Sequence, residues 1–144
     1  MVKKQNEVLV RLFSELTQAV GKLKGLAQTS KEEFLAAFEK VDSAKYNFIV
    51  AIEAAIDICN HVIADQNLGT PEEYSDVFRV MGDARVFDKE FVERLVDMVK
   101  FRNLLVHVYW KVDEERLYRI LQKDLSDFEK FTAGVRTYLE KEND

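Results

Sequence analysis

The segment 101–110, FRNLLVHVYW, places four polar side chains inside an otherwise apolar stretch of helical character. On an ideal α-helix Arg102 and Tyr109 lie within about 20° of each other, and Asn103 and His107 are separated by about 40°. Two neighbouring polar stripes result, while the leucines and valines between them can pack inward. The spacing therefore predicts a helix that buries one side and shows these polar side chains to a cleft.

An imidazole next to a guanidinium suits the cleavage of an RNA phosphodiester. Histidine exchanges protons near neutrality, and arginine grips phosphate with a fixed fork of donors. Cleavage needs a proton to leave the ribose 2′-OH or to reach the leaving 5′-oxygen, and it needs the phosphoryl charge to be stabilised. His107 and Arg102 supply these functions without a metal, and Asn103 could orient the phosphate or the imidazole. Spacing alone slightly favours an alternative in which Arg102 and Tyr109 lie at the edge of the bundle with only their polar ends in solvent. The combined chemistry of the arginine, histidine and asparagine favours the cleavage site instead.

The elements that must position this motif are predicted to be helices throughout. One proline and five glycines leave few breaks in 144 residues, and the apolar residues recur at helical spacing. We predict an all-α fold, an antiparallel up-and-down bundle of four main helices plus one short helix, in a single domain over residues 1–144. Four of the predicted helices cover about residues 6–27, 31–65, 71–80 and 114–140. A further helix, between the last two of these, carries the motif.

Capping residues mark where these helices begin. Ser30 with Glu33 three residues later forms a capping box, and Thr70 with Pro71 and Glu73 is predicted to form a second one after a left-handed Gly69. The remaining predicted N-caps are Asp88, with Phe87 and Val92 as a hydrophobic staple, and Asp113.

The second predicted helix is apolar on more than one face from Tyr46 to Ile63, so it is either central or at a subunit interface. Glu53, Asp57 and His61 are spaced by four and share one of its faces. They could form a metal or acid–base site, but two histidines in the whole chain are too few for a bundle metal centre. A polar stripe bordering a cleft or interface is favoured, and the lone Cys59 is predicted to be packing.

Composition excludes several classes of protein. With 47% apolar and 33% charged residues the chain should fold, and a single cysteine indicates a reducing compartment, which we take to be the cytoplasm. We predict no secretory signal and no membrane span. The net charge of −5 argues mildly against nonspecific nucleic-acid binding. Between residues 94 and 123, however, basic residues (Arg94, Lys100, Arg102, Lys111, Arg116, Arg119, Lys123) outnumber acids (Asp97, Asp113, Glu114, Glu115).

The run RNLLVHVY resembles the Arg-x4-His-x-Tyr signature of the HepT-like ribonuclease toxins, a branch of the HEPN superfamily. A polar residue after the arginine, here Asn103, is also favoured in that family. The resemblance extends over most of the chain in the correct order. It includes AIDICNHVIA in the second predicted helix, LGTPEEYSDVF in the connection that contains Pro71, and FVERLVDMVKFRNLLVHVYWKVD around the signature.

The resemblance implies a HEPN-like bundle that dimerises, with Arg102 and His107 of both subunits converging on one cleft. It implies metal-independent endonucleolytic cleavage of RNA without a cofactor, with Arg102 and His107 catalytic and Asn103 supporting. It also implies a toxin–antitoxin pairing with a minimal nucleotidyltransferase of the MntA type, which adds AMP units to Tyr109. Two alternatives stay open: a noncatalytic helical module that pairs with a nucleotidyltransferase, and a bundle that binds nucleotide without cleaving RNA.

Overall fold

The computed structural model describes residues 3–142, and within that range the chain is helical and contains no β-strand. The predicted all-α class is therefore confirmed. Seven α-helices and one 3₁₀ turn (Tyr109–Lys111) follow in chain order. The helices are α1 (Lys3–Ala27), α2 (Lys31–Ala36), α3 (Phe38–Gln66), α4 (Asp76–Asp83), α5 (Lys89–His107), α6 (Glu114–Lys123) and α7 (Ser126–Glu142).

Helix α3 is the centre of the fold. It packs along α1 over most of its length and also contacts α2, α4, α5 and α6. Its broad apolar surface is thus covered largely within the chain, as predicted for a central helix. Among the described helices α3 alone has the length and hydropathy to span a membrane, and 61% of its most apolar window is buried inside the fold, as in the core helix of a helical bundle.

The predicted continuous second helix is wrong at Ala37, where the backbone is extended and separates α2 from α3. In an unbroken helix Phe34 and Phe38 would share one face. The break lets Phe34 become fully buried against Tyr118, with ring centroids 5.3 Å apart, while Phe38 stays exposed. Ser30 does cap α2, because its hydroxyl accepts a hydrogen bond from the Glu33 N–H.

The predicted last helix is also interrupted, between Lys123 and Ser126. The restart places Asp127 in the first turn of α7, where a carboxylate is favoured by the helix dipole. There Asp127 is buried and accepts hydrogen bonds from Nε and Nη2 of Arg94, the shortest at 2.7 Å. This tertiary ion pair between α5 and α7 gives a physical reason for the break.

The connection before α4 differs from its prediction. The left-handed residue is Asn67, not Gly69, and α4 begins at Asp76 instead of Pro71. The Asp76 carboxylate accepts hydrogen bonds from the backbone N–H groups of Glu72 and Glu73 at 3.2 and 3.0 Å. The segment 71–75 is consequently a fixed turn instead of a first helical turn.

Helix α5 carries the polar motif and is anchored by six buried apolar residues, Phe91, Leu95, Val96, Val99, Phe101 and Leu105. Burying one such side chain fully contributes about 1.5–3 kcal/mol, so the position of the helix does not depend on its polar residues. Asp88 caps its start, as predicted, by accepting a hydrogen bond from the Phe91 N–H at 2.8 Å. The helix ends at His107, and Val108 leaves the helical conformation.

Candidate active site

The C-terminal half of α5 and the turn before α4 enclose an open cleft of about 550 Å³. Arg102, Asn103 and His107 line one wall of this cleft, and residues 72–75 line the other. Three of the four predicted site residues are therefore brought together. The fourth, Tyr109, is not part of the lining.

Arg102 is held on three sides. Its side chain is 13% exposed, and Oε1 of Glu53 accepts hydrogen bonds from Nη2 at 2.7 Å and from Nε at 3.2 Å. Nη1 donates to Oδ1 of Asn103 at 3.0 Å. The ring of Tyr74 stacks against the guanidinium, with its centroid 4.9 Å from Cζ, a distance typical of a cation–π contact. The cation is thus fixed in orientation at the cleft wall.

His107 is exposed at the last position of α5. No hydrogen bond joins its imidazole to another of the described residues, so both ring nitrogens are open to a molecule in the cleft. Arg102 and His107 are five residues apart and lie about 140° apart around an ideal helix. Both nevertheless line the cleft, which lies along the C-terminal half of α5.

Tyr109 lies outside α5, so the prediction that it shares a helix face with Arg102 is wrong. The helix ends two residues earlier, and the 3₁₀ turn carries Tyr109 toward the start of α3. Its hydroxyl lies 3.3 Å from the carbonyl oxygen and 3.4 Å from Oδ1 of Asp42. The buried Lys45 donates to the Tyr109 carbonyl at 3.0 Å and places its ammonium 4.5 Å from the ring centroid.

The environment of Tyr109 keeps its phenol protonated. Partial burial, reinforced by the neighbouring Asp42 carboxylate, raises the pKa of the Tyr109 hydroxyl above its ordinary value. A phenol in this state becomes a nucleophile only when a base removes its proton. Asp42 and Lys45 were not singled out in the sequence, because nothing in a helical pattern links them to a residue more than 60 positions away.

The stripe formed by Glu53, Asp57 and His61 is divided in the structure. Glu53 pairs with Arg102, whereas Asp57 is exposed, and its carboxyl pKa is raised first by desolvation and then by the charge of Glu53. Nε2 of His61 is buried without a hydrogen-bond partner among the described residues. Within residues 3–142 no group of three or more His, Cys, Asp or Glu side chains is placed to hold a metal ion.

Cys59 is fully buried, and burial raises the pKa of its thiol well above the ordinary value. A protonated thiol without solvent access is a poor nucleophile. The packing role predicted for this residue is consistent with that environment.

The excess of basic over acidic residues in the segment 94–123 is partly neutralised in the folded chain. Arg94, Lys100 and Arg102 are each paired with an acid, namely Asp127, Asp97 and Glu53. Glu72 and Glu73 also line the cleft opposite Arg102. The site of a single chain is therefore one oriented cation among carboxylates, and it is not a broad basic patch.

Comparison with known proteins identifies the family of the chain. The sequence profile described as "Ribonuclease HepT-like" matches residues 16–135. The chain is 26% identical over 131 residues to the mRNA nuclease HepT of Shewanella oneidensis, covering 91% of this chain and 98% of that protein. It is 24% identical over 125 residues to the tRNA nuclease HepT of Aphanizomenon flos-aquae, covering 85% of each.

Solved structures share the fold. The tri-AMPylated HEPN toxin of Shewanella oneidensis in complex with its MNT antitoxin superposes with a TM-score of 0.84 at 24% identity, covering 95% of this chain and 99% of the toxin. A toxin–antitoxin crystal structure with AMP-PNP gives the same TM-score and identity over 91% of this chain and 98% of that one. Since the profile match spans most of the sequence, the chain belongs to the HepT-like ribonuclease family.

Proposed function

We propose that the protein is a metal-independent endoribonuclease that acts as the toxin of a cytoplasmic toxin–antitoxin pair. The observation that carries this proposal is that Arg102, Asn103 and His107 line the same open cleft. Membership of the HepT-like family supports it, as do the relatives named mRNA nuclease and tRNA nuclease.

In the proposed reaction the ribose 2′-oxygen attacks the adjacent phosphorus and the bond to the 5′-oxygen breaks. One proton leaves the 2′-hydroxyl, and one proton is delivered to the departing 5′-oxygen, which leaves a 2′,3′-cyclic phosphate and a 5′-hydroxyl. His107 exchanges a proton as general base or acid. Arg102 stabilises the negative charge on the phosphoryl oxygens, and Asn103 orients the guanidinium or the phosphate.

A homodimer would supply what one chain lacks. The attacking and leaving oxygens lie on opposite sides of phosphorus, so one imidazole does not serve both at once. The second histidine of the chain, His61, does not line the cleft. A two-fold contact at the open side of the cleft would add a second His107 and a second Arg102.

The proposed partner is a cognate nucleotidyltransferase of the MntA type that transfers AMP to Tyr109. Solved relatives support the pairing, since they are toxins bound to an MNT antitoxin, and one of those toxins is tri-AMPylated. Tyr109 follows His107 by two residues in a 3₁₀ turn. Nucleotides attached there would bring phosphate charges and bulk to the end of α5, where they would oppose RNA binding at the cleft.

The second candidate is a noncatalytic module that pairs with a nucleotidyltransferase or binds nucleotide. The ion pair between Glu53 and Arg102 favours it, because a paired cation attracts phosphate less strongly than a free one. Under this alternative RNA stays intact while the complex with the partner still forms.

Cleavage of cellular RNA in the presence of a chelator tests the proposed function. We expect purified protein to cut RNA at the same rate with and without EDTA, and to leave 2′,3′-cyclic phosphate ends detectable by mass spectrometry. Cleavage that stops on chelation would contradict the metal-independent mechanism. Intact RNA in all samples, together with a stable complex with the partner, would favour the noncatalytic module.

Nucleotide transfer to Tyr109 is tested with the cognate nucleotidyltransferase and ATP. We expect intact-mass increments of whole AMP units on the wild type and none on Tyr109→Phe, with loss of RNA cleavage in proportion to modification. Tyr138→Phe is the matched control, since this half-exposed tyrosine lies on α7 away from the cleft. AMP found on Tyr109→Phe would assign the modification to another residue.

A further inference from the structure

Glu53 is the carboxylate that pairs with Arg102. It lies on α3, 49 residues before the arginine, and it bridges the central helix to the helix that carries the site. We infer that Glu53 is a positioning residue that orients the Arg102 guanidinium toward the scissile phosphate. This inference rests on the proposed function. It gives a role to Glu53, which is not part of the Arg-x4-His-x-Tyr signature.

Counting donors shows what Glu53 leaves free. A guanidinium has five N–H groups. Nε–H and one Nη2–H face Oε1 of Glu53, and one Nη1–H faces Asn103. Two N–H groups remain, one on each terminal nitrogen, and none of the described residues accepts them. A bidentate contact to a phosphoryl group uses two donors, so the paired arginine is still able to make one.

The surroundings restrict the guanidinium on three sides. Glu53 fixes the Nε edge, Asn103 fixes Nη1, and Tyr74 covers one face. A long flexible side chain is thereby held before substrate arrives. Pre-organised donors that need no reorganisation at the moment of reaction contribute more to rate than mobile ones of the same charge.

A positioning role and a simple charge effect of Glu53 predict different changes in RNA binding and in the cleavage step. A carboxylate beside the arginine weakens phosphate binding, so its removal should tighten or preserve RNA binding while the cleavage step slows. A purely structural ion pair would instead change stability and leave the cleavage rate of the folded protein unaltered. Arg94 and Asp127 form such a pair outside the cleft and serve as the comparison.

Single-turnover cleavage of a short oligoribonucleotide tests the inference. We expect Glu53→Ala to slow the cleavage step about 10- to 100-fold, since displacement of a positioned group by about 1 Å costs up to 10²-fold. Glu53→Gln should lose less, because its amide oxygen still accepts from Arg102. Affinity for an uncleavable 2′-O-methyl RNA should be unchanged or higher in both variants.

A double-mutant cycle identifies the residue through which Glu53 acts. In the Arg102→Ala background, Glu53→Ala should have no further effect, because the group that it positions is gone. Asp57→Ala, one helical turn away and without a contact to Arg102, should cleave as the wild type does. Asp127→Asn should lower the melting temperature and leave the cleavage step unchanged.

The results distinguish failure of the positioning role alone from failure of the proposed ribonuclease function. A wild-type protein that cleaves RNA, together with a Glu53→Ala variant that cleaves equally fast or faster, overturns the positioning role alone. Additive effects of the Glu53 and Arg102 substitutions also overturn it. A wild-type protein that leaves RNA intact removes the proposed function and the inference together.

Discussion

His107→Ala is expected to lower the RNA cleavage rate by about 10²- to 10⁴-fold, the range lost when a positioned proton-transfer group is removed. In a dimeric cleft the substitution deletes both imidazoles, so the loss should fall toward the upper end of this range. Time courses with excess enzyme over a defined oligoribonucleotide measure it directly.

The loss should not reflect unfolding. His107 is exposed and has no hydrogen bond to a described residue, and substitutions at such positions change stability by about 0.5 kcal/mol or less. Thermal unfolding of His107→Ala should therefore match the wild type. His61→Ala is the matched control, because it removes the other histidine outside the cleft. Equal cleavage by the wild type and His107→Ala would remove His107 from the mechanism.

Three of the helix caps were predictable from sequence because they depend on neighbouring residues. Ser30, Asp88 and Asp113 each accept hydrogen bonds from the first turn of the helix that follows, as the capping rules require. The breaks at Ala37 and after Lys123 were not predictable in this way. They satisfy contacts with distant helices, Phe34 with Tyr118 and Asp127 with Arg94.

The candidate site shows the same division. The spacing of Arg102, Asn103 and His107 along one helix indicated a shared cleft, and the structure places all three in its wall. Extending the helical period to Tyr109 failed, because the helix ends at His107. The pairing of Arg102 with Glu53 was not predicted either. The sequence placed Glu53 in a polar stripe, but periodicity within α3 carries no information about which helix faces that stripe.

Mixing the Arg102→Ala and His107→Ala proteins should restore cleavage that neither has alone. Each parent dimer lacks one type of group at both positions, whereas a mixed dimer has one guanidinium and one imidazole at its shared cleft. We expect a rate at least roughly 10-fold above the sum of the parents, and still below the wild type, because one of the two proton transfers remains unassisted. Chain exchange before the assay forms the mixed species.

Sedimentation of the wild type and of the mixture completes this test, because complementation requires that the chains associate. If the dimer exchanges chains without any gain in rate, Arg102 and His107 of one chain would act together in a site that needs no group from the other chain. A wild-type protein that cleaves at full rate as a monomer would contradict the shared cleft itself. Restored cleavage in the dimer fraction would instead explain why one chain carries a single cleft histidine for a reaction that moves two protons on opposite sides of phosphorus.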